Sequence, residues 1–561
     1  MPAVTSTRIM NKKQVYILAV LLLSFFTVLA VTSVWPGRKS ATADELAHHI
    51  PVGYVLLSKG DLKMDPSQPP LARYLAALPL VIFMDLSIPD NEDQWRREDR
   101  SEFGRDFFYK FNDHPDRMLF YSRCSFIVIG LLCGIILFVM ARSFYGDRAA
   151  LFSLFLYSFS PNIIAHTRLS TVDMTATCFI LLSVYTFWRF LRKRSLKNIV
   201  IAGGCLGLAQ LSKYTSLLLY PTFIFLTALE IPSVPEGERA RLFKKLFVIF
   251  ACSIILLWAG YGFDSDPILN GAMRVQEKLG IAHSFAQKLI PFWNENMSRV
   301  LDHVLLNVPV PLGTHMQGTL GVMRHGYEGH SVYFLGQWSG KGNPLYFVLS
   351  FMVKTPIPSI LFIVAGFFLV FKKGMRRKER FLLTLIAVIF LTASLSKLQL
   401  GHRYVLPMYP FCFILAGRSA ELWKKPYKIP ISLLMVWYLV TAFWIWPDYI
   451  SYFNETIGGP ANGYKYLRDS NIDWGQDLPA LAEYMRENDM QEVRLMYFGS
   501  AEPSEHGIRY KPLEESETIF PGSNVYAISV HKLERVKWAR YHEPDAKLGY
   551  SIFVYDFRED E

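Results

Sequence analysis

The chain has 561 residues, of which 51% are hydrophobic, 15% are aromatic and only 19% are charged. An average soluble protein carries about 25% charged residues, so this composition excludes a disordered chain, a collagen-like rod and a small disulfide scaffold. The formal net charge of +11 would indicate nucleic-acid binding in a soluble protein. Here the apolar residues form long uncharged runs, and we instead attribute the charge to basic cytoplasmic loops and expect no nucleic-acid partner.

These apolar runs predict a polytopic all-α membrane domain. A run of about 20 apolar residues crosses a bilayer as a helix, and the first such run covers residues 15–34. With the later runs we predict about eleven transmembrane helices. The further spans are expected near residues 119–141, 149–165, 172–190, 199–212, 215–230, 246–262, 346–371, 381–396, 404–417 and 429–447.

The distribution of basic residues predicts the orientation of these spans. Lys12 and Lys13 precede the first run, so we place the N-terminus in the cytoplasm. Every loop that then falls inside is basic, and one missed span would invert that pattern. We expect a multi-pass protein of the plasma (inner) membrane that contacts membrane lipid. The small residues 41–43 would suit a cleavable signal, but the apolar run is long for a signal core, which favours an uncleaved anchor.

Three polar segments fall on the external side. We predict one membrane domain over residues 1–447, with external loops at 36–118 and 263–345, and a small extracytoplasmic α/β domain over 448–561. In this tail, residues 478–485 have the periodicity of an amphipathic helix, and residues 493–498, 525–530 and 552–555 are typical of short strands.

The sequence contains neither a cysteine framework nor a nucleotide-binding loop. All six cysteines lie in apolar stretches, so no disulfide set or cysteine metal site is expected. The glycine-rich motifs that cradle nucleotide phosphates are missing. An activated substrate would therefore arrive from the lipid side.

Acidic residues stand at the external edge of the membrane. Asp44 and Glu45 follow the first span by about ten residues, and Asp173 lies at the outer end of another. Paired acids at such a surface can serve as a general base and bind an acceptor, and a charge inside a span is a functional hypothesis by default. The alternatives are a helix cap at Asp44 and a cap or an ion pair with Arg168 at Asp173.

Basic residues occur on the same side, against the charge bias. They are Lys213, Lys354, Arg403 and Arg73. Arginine can hold a phosphate with two hydrogen bonds, and lysine can hold one as a point charge. Snorkelling to lipid headgroups is the alternative for each residue taken singly.

A glycine-rich external loop contains His325 and His330 with Glu328 between them. A divalent metal site is conceivable there, although the glycine and aromatic spacing suits a sugar or peptide surface equally well. We name no metal ligand and no definite cofactor. We expect substrate contacts from His325 and His330, from Tyr333 in the same loop, and from His402 beside Arg403.

Together, these pieces resemble the membrane glycosyltransferases of the GT-C fold. The nearest branch contains the protein O-mannosyltransferases and the aminoarabinose transferase of lipid A. The tail segments 452–460 and 469–477 look like those of uncharacterised bacterial members. The other matching pieces are Asp44-Glu45, Gln68-Pro-Pro-Leu71, Asp173, Gly207-Leu-Ala-Gln-Leu-Ser-Lys213, Lys354-Thr-Pro356 and Arg403-Tyr-Val-Leu-Pro407.

The resemblance implies transfer of a sugar from a polyprenyl-phosphate carrier to an acceptor hydroxyl, with inversion at the anomeric carbon. Asp44 would be the general base, with a pKa raised by neighbouring carboxylates, and Glu45 and Asp173 would orient the acceptor or tune Asp44. Lys213 and Arg403 would hold the donor phosphate, with help from Lys354 and Arg73. The geometry required is that Asp44 faces Lys213 and Arg403 across one cavity open to the outer leaflet.

The chain also departs from its characterised relatives. It lacks the repeated sugar-binding modules of the eukaryotic mannosyltransferases and carries a His-Gly-Tyr-Glu-Gly-His loop at 325–330 instead. A protein, a lipid and a glycan all stay open as acceptors.

Two other functions fit part of the pattern. A transporter or flippase of lipid-linked sugars would place polar residues near the bilayer midplane or in paired broken helices, whereas the charges here lie mostly at the edges of spans. A scaffold that presents the tail domain would leave the external acids and bases unexplained.

Overall fold

The computed structural model describes residues 12–34, 37–62, 65–89, 100–269, 275–290 and 293–558. It is mostly helical, and each predicted span coincides with one helix or with two consecutive helices. The helices of the first half are Lys12–Val34, Ile50–Lys59, Leu71–Phe83, Arg100–Arg105, Pro115–Tyr145, Asp147–Ser158, Pro161–Thr167, Val172–Arg192, Leu196–Ser212, Leu219–Ala228 and Glu236–Gly260. Those of the second half are Val275–Leu289, Glu295–Asn307, Gly313–Glu328, Tyr346–Lys354, Ile357–Lys372, Arg377–Leu395, Tyr409–Ala416, Lys428–Trp444, Pro460–Gly463 and Leu478–Glu487.

Several of these helices can cross a membrane. Within the described ranges, Pro115–Tyr145, Val172–Arg192, Tyr214–Ser233 and Glu236–Gly260 are long and apolar enough, and two bent helix pairs bring the number to at most six. The count of about eleven spans and their orientation therefore stay predictions.

Proline divides two of the predicted spans. The span expected at 346–371 is not one straight helix, because Tyr346–Lys354 and Ile357–Lys372 meet at an angle of 113°. Pro356 and Pro358 lack the backbone N–H that would continue the first helix. A second break lies before Pro161, where the two helices of the pair meet at 63° and the Ser160 hydroxyl caps the new helix.

Small residues allow close packing between two of the apolar helices. A Cβ added at Gly203 would lie 2.5 Å from the Cβ of Cys252 and 2.8 Å from the carbonyl oxygen of Ile249. Leu196–Ser212 therefore approaches Glu236–Gly260 as closely as the backbones permit, a common arrangement where lipid removes the hydrophobic drive for helix association. This contact supports the helix that ends next to Lys213.

The tail contains the predicted helix and strands. The helix spans Leu478–Glu487, and the three predicted strands are confirmed as Val493–Met496, Val525–Ser529 and Ile552–Asp556. The sheet has five strands in the order Tyr510–Pro512, Val493–Met496, Val525–Ser529, Ile552–Asp556 and Ala546–Leu548, of which the first three are parallel and the last two pairings antiparallel.

This sheet is buried on both faces. Alternate residues of a strand point to opposite faces, and Tyr526 joins the apolar core of the membrane helices, whereas Ala527 joins a second core around Leu46 and Phe107. The tail thus shares its cores with the segment that carries Asp44. Its description as a separate domain over 448–561 stays a prediction.

Candidate active site

Asp44 stands at the start of a helix that another pair of residues caps. The Glu45 carboxylate accepts hydrogen bonds from the backbone N–H of Thr42 (2.9 Å) and from its hydroxyl (3.0 Å), which is the arrangement of a capping box. The Asp44 side chain makes no cap hydrogen bond. The backbone then widens into a π-helical turn over Glu45–His49, a distortion that is frequent at functional sites. The carboxylate of Asp44 is therefore left for chemistry.

Glu45 fixes the position of this turn through buried hydrogen bonds. Its side chain is fully buried, and Arg123 donates from Nε to Oε1 (2.9 Å) and from Nη2 to Oε2 (2.7 Å). The backbone N–H of Ser170 donates to Oε1 as well. We expect Glu45 to orient the acceptor or to tune Asp44, and the structure does not bring it to the cavity described below. Its contacts instead fix the position of the preceding residue, Asp44.

The four strongest sequence candidates form one line of alternating charge. Arg403 Nη1 donates to Asp44 Oδ2 at 2.8 Å and lies 3.7 Å from Asp173 Oδ2, and Lys213 Nζ donates to Asp173 Oδ1 at 2.7 Å. The side chain of Asp44 is 26% exposed, those of Arg403 and Lys213 are each 11% exposed, and that of Asp173 is buried. The line thus contains one accessible carboxylate, that of Asp44, and one buried carboxylate, that of Asp173.

Both cations stand at breaks between helices. Lys213 has extended backbone directly after the helix Leu196–Ser212 ends. Arg403 lies in the 3₁₀ helix His402–Met408, which follows Gly401. Gly401 has φ +116°, and a Cβ there would lie 2.3 Å from the hydroxyl oxygen of Ser470, so only glycine fits without strain.

Asp44, Lys213 and Arg403 line one cavity of about 710 Å³. The residues that line the cavity are of two chemical kinds. The polar ones include His48, His49, Ser67, Gln68, Arg100, Tyr214, Gln317 and His325. The apolar ones include Ile180, Leu218, Leu219, Leu385, Val388, Ile389 and Ala393. A ligand with a charged head and a hydrocarbon chain matches this division.

Two of the expected phosphate ligands lie outside the cavity lining. Lys354 is 3% exposed, and its Nζ donates to the carbonyl oxygens of Ile450 (2.7 Å) and Asn471 (2.5 Å). Arg73 is equally buried and pairs with the Asp65 carboxylate. The structure does not bring either cation to the cavity, because each is used to join separate chain segments.

The residues expected to contact substrate also divide into those that line the cavity and those that do not. His325 lines the cavity, and its Nε2 lies 3.4 Å from Nδ1 of His330, which is not part of the lining. His402 is buried between Ser350 and Tyr409, and the Tyr333 hydroxyl accepts a hydrogen bond from Arg468. Within the described ranges, no three His, Cys, Asp or Glu side chains are placed to hold a metal ion.

The positive charge of Arg403 lowers the pKa of Asp44. Burial raises the pKa of the Asp44 carboxyl, but the Arg403 guanidinium and the nearby imidazoles of His48 and His49 outweigh it and hold the pKa below its ordinary value. The expected upward shift is therefore wrong. The sequence showed the neighbouring carboxylates but did not show that a guanidinium would contact Asp44 directly.

Sequence reasoning missed His49, which lines the cavity beside Asp44. It is 2% exposed, and its Nδ1 has no hydrogen-bond partner among the described residues. Burial lowers the pKa of His49 to about 3, against an opposite effect from Asp44. The imidazole is therefore neutral at physiological pH, with a ring nitrogen available for a hydroxyl group. The pair His48-His49, one helical turn after Asp44, was the signal in the sequence.

Residues 118–259, which include Asp173 and Lys213, match the family model described as dolichyl-phosphate-mannose-protein mannosyltransferase. The predicted resemblance is confirmed. The mannosyltransferase-like stretch covers the helices from Pro115–Tyr145 to Glu236–Gly260. An uncharacterized protein from Aquifex aeolicus (strain VF5) is 20% identical over 432 residues, which are 76% of this chain and 68% of that protein.

Solved structures show weak overall similarity to the chain. ArnT from Cupriavidus metallidurans bound to undecaprenyl phosphate aligns with a TM-score of 0.48 at 12% identity, over 98% of this chain and 99% of ArnT. The archaeal oligosaccharyltransferase AglB from Archaeoglobus fulgidus, in complex with an inhibitory peptide and a dolichol-phosphate, aligns with a TM-score of 0.46 at 14% identity. That alignment covers 85% of this chain and 58% of AglB.

Proposed function

We propose that the chain transfers a sugar from a polyprenyl-phosphate carrier to an acceptor hydroxyl at the extracytoplasmic face of the plasma membrane. The observation that carries this proposal is that one cavity is lined by the charged residues Asp44, Arg403 and Lys213 and by a large set of apolar side chains. The match of residues 118–259 to a mannosyltransferase family supports the same reaction class.

The donor fits the two kinds of residue that line the cavity. Its prenyl chain would contact apolar residues such as Leu218 and Val388, and its phosphate would lie beside the cations. Arg403 and Lys213 are both paired with carboxylates. Phosphate oxygens would take over part of these hydrogen bonds, since charge-assisted pairs with guanidinium and ammonium groups are strong. The headgroup is thereby held at the membrane surface.

In the reaction, Asp44 accepts the proton of the acceptor hydroxyl while the acceptor oxygen forms a bond to the anomeric carbon. The bond from that carbon to the phosphate oxygen breaks, and its electron pair stays on the phosphate. Arg403 and Lys213 stabilise the added negative charge, as fixed cations do in other transition states. A general base of this kind contributes about 10²–10⁴-fold. Attack opposite the leaving phosphate inverts the anomeric configuration.

Donor binding also prepares the base. Arg403 holds the pKa of Asp44 low, which makes the carboxylate a weak base. A bound phosphate would place negative charge beside Arg403 and Asp44, so the pKa of Asp44 would rise. The carboxylate would therefore be a better base when the phosphate of the donor is in place.

A radiolabelled transfer assay in proteoliposomes tests this function. Polyprenyl-phosphate hexoses and pentoses are supplied as donors, with peptide, lipid and glycan acceptors, to the parent and to Asp44→Asn. The matched control is Asp85→Asn, which changes an exposed acid on the same external segment. We expect the control to transfer at the parental rate and Asp44→Asn to lose at least ~10²-fold. Parental transfer by Asp44→Asn would contradict the mechanism.

One observation favours a second candidate, a transporter of lipid-linked sugars. The two bent helix pairs contact each other, because the Asn162 side chain donates to the carbonyl oxygen of Lys354 at 2.7 Å. Paired broken helices are a feature of transporters, but neither residue lines the cavity. A flippase would move labelled donor between leaflets without breaking the sugar–phosphate bond, and this result in the same proteoliposomes would favour the second candidate.

A further inference from the structure

A loop of the tail lies directly beside the segment that precedes Asp44. The backbone N–H of Ser40 donates to the carbonyl oxygen of Gln476, and that of Ala43 donates to the carbonyl oxygen of Trp474, both at 3.0 Å. The Ser40 hydroxyl also donates to the Gly475 carbonyl oxygen at 2.8 Å. These bonds join residues more than 400 positions apart in sequence, and they hold the backbone that leads into Asp44.

The same loop places an aromatic ring against Arg403. The guanidinium carbon of Arg403 lies 4.3 Å from the centroid of the Trp474 indole ring, a distance at which a cation and a π face attract each other. Trp474 is 2% exposed and does not line the cavity, so it is not a platform for a sugar. The indole covers one face of the guanidinium, whose Nη1 contacts Asp44 and Asp173.

Neighbouring residues fix the position of Trp474. Gln476 Oε1 accepts a hydrogen bond from the Trp474 backbone N–H (2.7 Å), and Gln476 Nε2 donates to Asp477 Oδ2 (2.8 Å). The Ser551 hydroxyl donates to the same oxygen of Asp477, and Lys39 forms ion pairs with Asp477 and Asp448. The chain of contacts therefore runs from the start of the strand Ile552–Asp556 in the tail sheet to Arg403.

We propose that Trp474 is a positioning residue that holds the Arg403 guanidinium between Asp44 and Asp173, and that the tail loop 473–477 completes the active site. The role in catalysis rests on the proposed function, whereas the positioning of Arg403 does not. Without the indole, the guanidinium has free space on one side and moves away from Asp44. Asp44 then loses its nearest cation.

The consequence is a change in the titration of Asp44. This carboxylate interacts with Arg403 from the 3₁₀ helix, with His48 and His49 from its own helix, and with Asp469 from the tail. Arg403 in turn faces Asp44, Asp173, Tyr404 and Asp469. Displacement of Arg403 removes the largest stabilising charge from Asp44 and leaves the destabilising effect of burial. The pKa of Asp44 must rise.

The test measures Asp44 directly and does not depend on transfer. The rate at which a water-soluble carbodiimide modifies Asp44 is followed by peptide mass spectrometry from pH 3 to 8, in the parent, Trp474→Leu and Trp474→Phe. Trp538→Leu is the matched control, because it removes a buried tryptophan of the tail that packs on Tyr526 and Tyr555. Donor kinetics are measured on the same preparations.

We expect Trp474→Leu to raise the labelling midpoint of Asp44 by about one pH unit and to lower kcat/KM by about tenfold. Trp474→Phe keeps an aromatic face and stays within about threefold of the parent. Trp538→Leu lowers stability without moving the midpoint. An unchanged midpoint in a folded Trp474→Leu would overturn the positioning role.

Two further outcomes are decisive. If Trp474→Leu does not fold, Gln476→Ala is used instead, because it loosens the loop and keeps the indole ring. We expect Gln476→Ala to shift the labelling midpoint of Asp44 in the same direction. An unshifted midpoint in Gln476→Ala overturns the proposal. If the midpoint shifts in Trp474→Leu but the parent transfers no sugar from any polyprenyl-phosphate donor, the positioning role stands and the proposed function fails.

Discussion

Asp44 and Arg403 are 359 positions apart in sequence and form an ion pair of 2.8 Å in the lining of the cavity. The pair brings the proposed base into contact with the proposed phosphate ligand, so the charge of each group acts directly on the other. This relationship determines the expected effects of pH and of most substitutions at the site.

The pH–rate profile tests the charge coupling. Because Arg403 lowers the pKa of Asp44, the carboxylate is ionised from mildly acidic pH upward, and activity falls only as the pH drops through that low value. In Arg403→Gln the pKa of Asp44 rises, and the acidic limb of kcat/KM moves to higher pH by about one unit or more. Arg403→Lys keeps the charge and should show a smaller shift. An acidic limb at the same pH in Arg403→Gln would show that this coupling does not operate.

Donor binding should distinguish the two lysines that the sequence suggested. Lys213 lines the cavity, whereas Lys354 is buried against backbone carbonyl oxygens. We expect Lys213→Gln to weaken binding of undecaprenyl phosphate about tenfold, since a charge-assisted hydrogen bond contributes about 1.5–3 kcal/mol. Lys354→Met should alter thermal stability and leave donor affinity within about twofold of the parent. Isothermal titration or fluorescence titration in detergent measures both, and the opposite ranking would refute this assignment.

Glu45 should contribute to stability more than to substrate binding. Burial raises the pKa of the Glu45 carboxyl, but Arg123 and the backbone N–H groups of Ser170 and Thr42 together lower it more, so the pKa in the folded protein is below the ordinary value. The resulting stabilisation is present above about pH 4.3 and is lost as the pH falls through the lower folded pKa. Glu45→Gln leaves Arg123 buried without its counter-charge and should cost about 3–5 kcal/mol.

Thermal unfolding in detergent measures this effect. The double variant Glu45→Gln with Arg123→Met should recover part of the loss, because it also removes the unpaired guanidinium. A Glu45→Gln protein with parental thermal stability but weakened acceptor binding would restore the role that the sequence suggested for this residue.

His49 should act as a neutral group. With a pKa lowered to about 3, it carries no charge from pH 5 to 8 and adds no inflection to the profile in that range. His49→Ala should reduce kcat/KM by about tenfold through loss of one hydrogen bond to substrate and leave the shape of the profile unchanged. Steady-state kinetics over this pH range provide the measurement. If the pH profile of the parent has an inflection near pH 6.5 and that of His49→Ala lacks it, the imidazole titrates in this range and the prediction is wrong.

The sequence was most informative where local chemistry decides the outcome. Apolar length predicted the helices, and short runs of apolar and aromatic residues predicted the strands around Val525 and Ile552. Charged residues near the external edge of the membrane are unfavourable in lipid unless they have a use. Four of them proved to form one line of contacts: Asp44, Arg403, Asp173 and Lys213.

Long-range contacts could not be predicted in the same way. Nothing local distinguishes Lys354 from Lys213, since both follow an apolar stretch near a helix end, yet only one faces the cavity. The use of Glu45 as part of a capping box depends on Thr42, and its burial depends on Arg123 in a different helix. The contact of Trp474 with Arg403 joins two segments that the sequence assigned to separate domains.

The most direct test of the central claim is a single-turnover experiment on Asp44→Asn. Labelled polyprenyl-phosphate sugar is bound to excess protein, and both donor binding and transfer to acceptor are followed. Because the substitution frees Arg403 from its ion pair, the variant should bind the donor at least as tightly as the parent and transfer its sugar at least ~10²-fold more slowly. Transfer by the variant at the parental rate would contradict the account. A loss of donor affinity with a normal rate of transfer from the donor that still binds would contradict it as well.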